Sequence, residues 1–480
     1  MGSVGFGDLP VELRYLILRE VSSPKDLHSL IRASSSFYST FLSRKSSVLC
    51  QVLRNSVHPE VLPLALACVH ASEIAKLIKD QHNHSTRQNI IDFLRDHVNP
   101  GRPSLGDLRD LAVSIPLSRL WLTVDTFISD FGCRSLEAFT DHTSSSFPAS
   151  DEPFKDLESL LSITERGRLQ RAFFRFELYR RLFYTPRSHR RSLGLFDKLE
   201  QYRLFLSFLS PWEIEELACV HQYLVTRLEG VFDRLEDDFV GAVLKDAGAT
   251  SPPSEPQSPR SRRWSFNHPR IKNVLEHLEY FGLNFFSEAD KSLRHDQHIR
   301  FLLSRGLVFS KRLLMSSQDD CKTIVLSTDL QFPRAFLLEA MWQNHPHEPG
   351  ILKREQDDAF RYRKRHFQSD SLTNCNEGWL WAAGYVACAT YNLPCKFELR
   401  NRGYVFWDRD RLENSGMIST PFEPTGGRHD FPTQYRRRCD MITAEERLQG
   451  ATVGSDVLNR LCPHFLDSEE EAELIGDTMS

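Results

Sequence analysis

Histidine pairs, cysteines and arginine clusters are the residues of this sequence able to hold a metal, attack an electrophile or grip a phosphate. His82-x-His84 and His345-x-His347-Glu348 offer imidazole nitrogens. Neither sets two His four residues apart on a helix around a Glu, and Pro346 and Pro349 oppose a helix, so surface-loop histidines are expected. The ten Cys, at 50, 68, 133, 219, 321, 375, 388, 395, 439 and 462, contain no CxxC pair. Their spacing fits neither a zinc ribbon nor a small disulfide scaffold. Cys68 and Cys219 fall in apolar helical patterns and Cys375 lies near Trp379 and Trp381, so buried thiols are the reading. Gly5-Phe6-Gly7 completes no dinucleotide fingerprint, and no GxxxxGK loop or GxSxG elbow occurs. His221 sits on an apolar helix face, where a hydrogen-bonded core histidine is expected. No catalytic, metal-binding or cofactor-binding residue is assigned.

Arginines crowd residues 166–191: Arg166, Arg168, Arg171, Arg175, Arg180, Arg181, Arg187, Arg190 and Arg191, interleaved with Phe and Tyr. Such a cluster could contact nucleic acid or a phosphorylated partner. The preferred reading is the solvated face of an amphipathic helix whose aromatics face the core. Arg361 to Arg365, offset by Asp357 and Asp358, is read the same way. Ser258-Pro259 beside Arg260, Arg262 and Arg263 could be a proline-directed phosphorylation site.

The elements that must position these residues follow from composition and period. The chain has 480 residues, 40% hydrophobic and 26% charged, ordinary for globular material and enough for two to four domains of the usual size. With 33 Phe against 6 Met, much of the core should be aromatic. A formal net charge of −4 gives no global field for nucleic acid or an anionic membrane. No signal peptide is visible, Phe6 spoils a myristoylation pattern, and the apolar stretch Trp379 to Ala389 is too short to span a bilayer. A soluble intracellular protein, of cytoplasm or nucleus, is expected, with no membrane partner.

A mainly α fold is predicted. Residues 8–42 form a three-helix unit, 57–247 a helical domain, 248–267 a Pro/Ser-rich linker, 268–465 a less regular, mostly helical C-terminal domain, and 466–480 an acidic tail. Ser23 with Asp26, Ser104 with Asp107, Ser162 with Glu165, and Ser210-Pro211 with Glu213 are helix-start signals. Pro116 should break or kink the helix it interrupts. Leu217, His221, Leu224, Leu228, Val231 and Leu235 make a stripe read as bundle core, since too few heptads are present for a coiled coil.

Residues 9–42 read LPVELRYLILREVSSPKDLHSLIRASSSFYSTFL. Leu13, Ile17 and Val21 share one helical face; Leu27, Leu30 and Ile31 give a second, and Phe37 and Phe41 a third. About 35 residues fall below the roughly 40 at which a chain covers its own core, so a partner or the rest of this chain must cover this one. The motif Leu9-Pro10-x-Glu12-Leu13, Ile17-Leu18, Asp26-Leu27, Leu30, Ala33-Ser34 and Phe37 resembles the F-box family; Phe37 or Tyr38 stands where that family often has Trp. The strings Glu165 to Phe183, Ser210 to Val220 and Gly403 to Leu412 are similar to features of large F-box-like proteins of filamentous fungi.

That resemblance implies a unit packing on a Skp-type adaptor of a cullin–RING ubiquitin ligase, with Leu9, Pro10, Leu13, Ile17, Leu18, Leu27 and Leu30 as contact and support positions. The chain would then be a non-enzymatic receptor bringing an unnamed protein substrate to the ligase. Two other readings stand beside it. One is a scaffold whose F-box-like unit is buried within the chain; the other is a nucleic-acid binder using residues 166–191, which the net charge disfavours.

Overall fold

The computed structural model describes residues 9–80, 84–97, 105–140, 161–184, 195–246, 299–326, 337–341, 372, 374–383 and 399–418. Among these residues the fold is mainly α, with no strand. The helices are α1 (Val11–Glu20), α2 (Pro24–Ala33), α3 (Ser35–Ser43), α4 (Lys45–Ser56), α5 (Leu62–Asp80), α6 (His84–His97), α7 (Leu111–Thr140) and α8 (Ile163–Phe183). They continue with α9 (Lys198–Leu204), α10 (Pro211–Asp246), α11 (Leu307–Met315), α12 (Gln318–Leu326), α13 (Leu338–Met341), α14 (Glu377–Ala383) and α15 (Arg409–Asn414). Short 3-10 turns run Leu105–Arg109 and Leu206–Phe208. The proposed linker, the acidic tail, Ser258, His345 and His347 lie outside the described residues.

Local chemistry sets the helix starts. At α2, Ser23 Oγ accepts the Asp26 N–H at 3.1 Å and donates to Asp26 Oδ2 at 2.6 Å, while Pro24 fills a first-turn position that needs no N–H. Ser162 and Glu165 close a reciprocal capping box on α8. The Glu213 carboxylate accepts the Ser210 N–H at 2.9 Å at the start of α10. The expected start near Ser104 is displaced. The chain first makes the 3-10 turn, and Asp110 Oδ1 then accepts the Ala112 N–H at 2.8 Å, so α7 begins at Leu111 and runs through Pro116.

The chain divides into two compact units, and not in sequence order. The first gathers residues 1–225, 301–312 and 333–428; the second gathers 226–300, 313–332 and 429–480. The linear plan of an N-terminal helical domain and a separate C-terminal domain at 268–465 is therefore corrected. Its described segments at 301–312 and 399–418 belong to the first unit. The physical reason is that α8 carries polar groups which these later segments satisfy.

In the first unit α8 packs against α5 and α7, and α7 also packs against α4. Aromatic rings fill the centre. Phe131 meets Tyr223 edge-on at 5.2 Å and Phe406 at 5.3 Å between centroids, and Phe127 stacks on Phe173 at 5.9 Å. In the second unit Ser317 caps α12, and the buried Cys321 thiol donates to the Leu313 carbonyl at 2.9 Å. Along α10, Leu217, His221, Leu224, Leu228 and Val231 are all buried, as their spacing predicts, and the Leu235 side chain lies outside the described residues.

By length and apolarity alone, Leu111–Glu137 would suffice to cross a bilayer, a longer apolar element than Trp379 to Ala389. Arg119 and Asp125 interrupt its apolar run, so the sequence does not present it as one stretch. Several of its polar side chains are engaged within the fold. Arg166 pairs with Asp125 at 2.6 Å, the Tyr223 hydroxyl donates to Asp130, and Lys311 Nζ donates to Thr126 Oγ1 at 2.7 Å. Half of the apolar window is buried, as in a core helix.

Candidate protein-docking surface

Helix α3 packs on both α1 and α2, all three pack on α4, and α2 also touches α7. Leu18, Leu27, Phe37 and Phe41 join Val48, Leu49 and Val52 of α4 in one buried cluster. Ile17, Val21, Leu30 and Ile31 pack against its edge, as do Leu111 and Ile115 of α7. The three-helix unit is thus covered on its inner side by its own chain. Polar ties fasten the join: Ser56 Oγ donates to the Ser22 carbonyl at 2.8 Å, and Asn55 Nδ2 to the Arg19 carbonyl at 2.7 Å.

The outer side is different. Val11, Leu13, Leu16, Tyr38 and Leu42 are each about half exposed, five of the ten large apolar side chains exposed among the described residues. Single exposed apolar residues are ordinary, but half of them on one short segment is a concentration. Leu13 and Leu16 stand three residues apart on one face of α1, and Leu9 precedes the helix. Tyr38 and Leu42 stand one turn apart on α3.

The seven residues singled out in the sequence fall into three groups. Pro10 and Leu13 are exposed, and Leu9 is partly covered. Ile17 and Leu30 are half-buried at the edge of the cluster. Leu18 and Leu27 are sealed inside it, at 0% and 3% exposure. Of the expected contact and support positions these two can only be support, because α4 occupies the space over them. Leu16, Tyr38 and Leu42 add to the exposed apolar side chains, and Val11 is exposed on another side of α1; Leu16 was legible three residues after Leu13, whereas the exposure of Leu42 depends on how α3 packs.

The arginines of α8 overturn the solvated-face reading. Arg168 and Arg171 are buried, and the side chains of Arg175 and Arg181 are nearly so. Arg168 Nη1 donates to Asp408 at 2.7 Å and to the Phe406 carbonyl at 2.9 Å. Arg171 holds both oxygens of Glu216 and the Leu372 carbonyl. Glu165 accepts two hydrogen bonds from Arg411, at 2.7 and 2.8 Å, plus the Asp408 N–H at 3.0 Å. A helix surrounded by other segments has no wet face, so its charges persist only with partners. Guanidinium groups so committed are not free to neutralise a phosphate backbone. Arg187, Arg190 and Arg191 lie outside the described residues.

Glu177 is fully buried, and burial opposes its charge. Arg180 and Arg181 outweigh that cost, with the Leu307 N–H at 3.0 Å, and hold the carboxyl below the ordinary range. Burial likewise opposes the charge of Glu213, but Arg175 and Arg171 bring its carboxyl below the usual value. Burial pushes the Cys68 thiol up strongly, and the Cys375 thiol up to about 12, so neither is a nucleophile near neutral pH. His84 opens α6 instead of lying in a loop, and His82 is outside the described residues. Among the described residues no three His, Cys, Asp or Glu side chains gather as a metal cage.

Fold and surface define a helical protein built around a buried ion-paired helix, with exposed apolar side chains on its first and third helices. No family model matches the chain, and no match was found among curated proteins or solved structures.

Proposed function

We propose that this chain is an F-box-type substrate receptor whose first three helices dock on the Skp-type adaptor of a cullin–RING ubiquitin ligase. The observation carrying this reading is the two-sidedness of the unit. Leu18, Leu27, Phe37 and Phe41 fix its helices against α4, leaving Leu13, Leu16, Tyr38 and Leu42 exposed. A fully buried Leu contributes roughly 1.5–3 kcal/mol relative to an exposed one, so a partner covering several of them gains appreciable affinity. The chain itself performs no chemistry; it holds a protein substrate near machinery that transfers ubiquitin, inside the cell.

The inward seal favours a second reading, in which the unit is an integral part of a scaffold and joins no ligase. Purified full-length chain mixed with the adaptor at micromolar concentration separates the two. Stoichiometric co-elution supports the receptor, and its absence in a folded sample leaves the scaffold.

A further inference from the structure

A cleft of about 500 Å³ opens between α1, the α3–α4 junction, α4 and the turn that ends at Arg109. Its charge is one-sided: Arg19, Arg44, Lys45, Arg54 and Arg109 line it, and among the described residues no Asp or Glu does. None of these five side chains is ion-paired among the described residues. The α8 arginines of the same protein are matched almost one for one with carboxylates, so this ring of cations is a contrast within one molecule.

Tyr15 holds two of the cations together. The Arg19 and Arg44 guanidinium carbons lie 5.6 Å and 5.0 Å from its ring centroid. Its hydroxyl shares a 2.7 Å hydrogen bond with Ser47 Oγ, and Gln51 Oε1 accepts from Arg19 at 3.5 Å, so the arrangement is braced. Two guanidinium groups gathered on one ring without a counter-charge repel each other, and an anion between them removes that repulsion. The first turn of α4 lines the same cleft and carries no side-chain cap, which adds the positive end of its dipole.

We propose that this cleft binds a small anion carrying several phosphate groups. Five cations call for several negative charges in little volume, and the cleft lies within the roughly 300–1,000 Å³ usual for small-molecule sites. Arg forks suit phosphate oxygens geometrically. Nucleic acid fits less well. Among the described residues Tyr15 is the one aromatic ring in the lining, and guanidinium groups already occupy it, which leaves no platform for stacked bases. Tyr15 and Arg19 fall about 110° around α1 from Leu13 and Leu16, at about 100° per residue. Substitutions at Leu13 and Leu16 therefore test adaptor docking without touching the cleft, and the cleft variant tests anion binding without touching those two.

The test is calorimetric titration of the full chain with inorganic tripolyphosphate at fixed ionic strength. Saturable one-to-one binding is expected, weakened at least tenfold in Arg44→Gln/Arg54→Gln and unchanged in Arg95→Gln/Arg409→Gln, whose arginines lie outside the cleft. Far-UV circular dichroism and the ligand-free melting temperature establish that each variant is folded. Absence of saturable binding, equal affinity in the cleft variant, or equal loss in the control variant overturns the proposal. So does saturable binding of a single-stranded oligonucleotide or a phosphopeptide when tripolyphosphate does not bind.

Discussion

Arg400 and Glu215 form a bidentate pair in the interior, Nε to Oε1 at 2.7 Å and Nη2 to Oε2 at 3.0 Å, with the Arg side chain 1% and the Glu side chain 5% exposed. They stand far apart in the sequence, and their pairing ties the segment after Leu399 to α10. Breaking a buried pair leaves an uncompensated charge and costs about 3–5 kcal/mol, whereas replacing both members with apolar residues is often neutral. Arg400→Met alone should therefore lower the urea midpoint markedly. Arg400→Met/Glu215→Leu should recover most of the loss, and a double variant no more stable than the single one would refute the coupling.

Surface and support positions on the first three helices should respond in opposite ways. Leu13→Asp/Leu16→Asp touches the exposed stripe, so adaptor capture is expected to vanish while the melting temperature stays within a degree or two. Leu18→Ala opens a cavity in the sealed cluster and should cost about 2–5 kcal/mol. Ile17 is a poor choice for the first experiment because its side chain packs at the cluster's edge. Parallel pull-down and thermal melts decide the matter; unfolding of the Leu13/Leu16 variant would show that stripe to be core.

Acid should destabilise the protein through Glu177 and Glu213. Glu177 and Glu213 ionise at lower pH in the folded state than in the unfolded chain. Their contribution is thus fully present above the unfolded value of about 4.3 and is lost as pH falls through the folded values. Stability measured by urea titration from pH 6 down to pH 3 should decline, and the decline should be shallower in a Glu177→Gln variant. An identical slope in that variant would remove Glu177 from the account.

Gly403 adopts φ of +62°, and a Cβ there would lie 3.0 Å from both the Phe131 and Trp407 rings. Any side chain meets both left-handed backbone strain and the aromatic core. Gly403→Ala is expected to cost about 1–3 kcal/mol, read as a fall in the denaturant midpoint without a change in slope. A neutral outcome would mean that the turn relaxes and the rings yield.

Local grammar was legible from sequence alone. Ser23, Ser162 and Ser210 marked helix starts because a cap is satisfied within four residues of itself, and the α10 stripe announced its buried side because helical period is a property of one segment. The dominance of helix and the aromatic core followed from the same short-range signals. What tertiary structure decided is which face is dry. Arg168, Arg171 and Glu165 carry the signature of a wet surface, and only Asp408, Glu216 and Arg411, brought in from distant segments, turn them into interior residues. Leu18 and Leu13 belong to the same apolar pattern, and only the position of α4 makes one a support and leaves the other exposed. Burial is a relation between segments, so a periodic pattern names the faces of a helix but not what will stand against them.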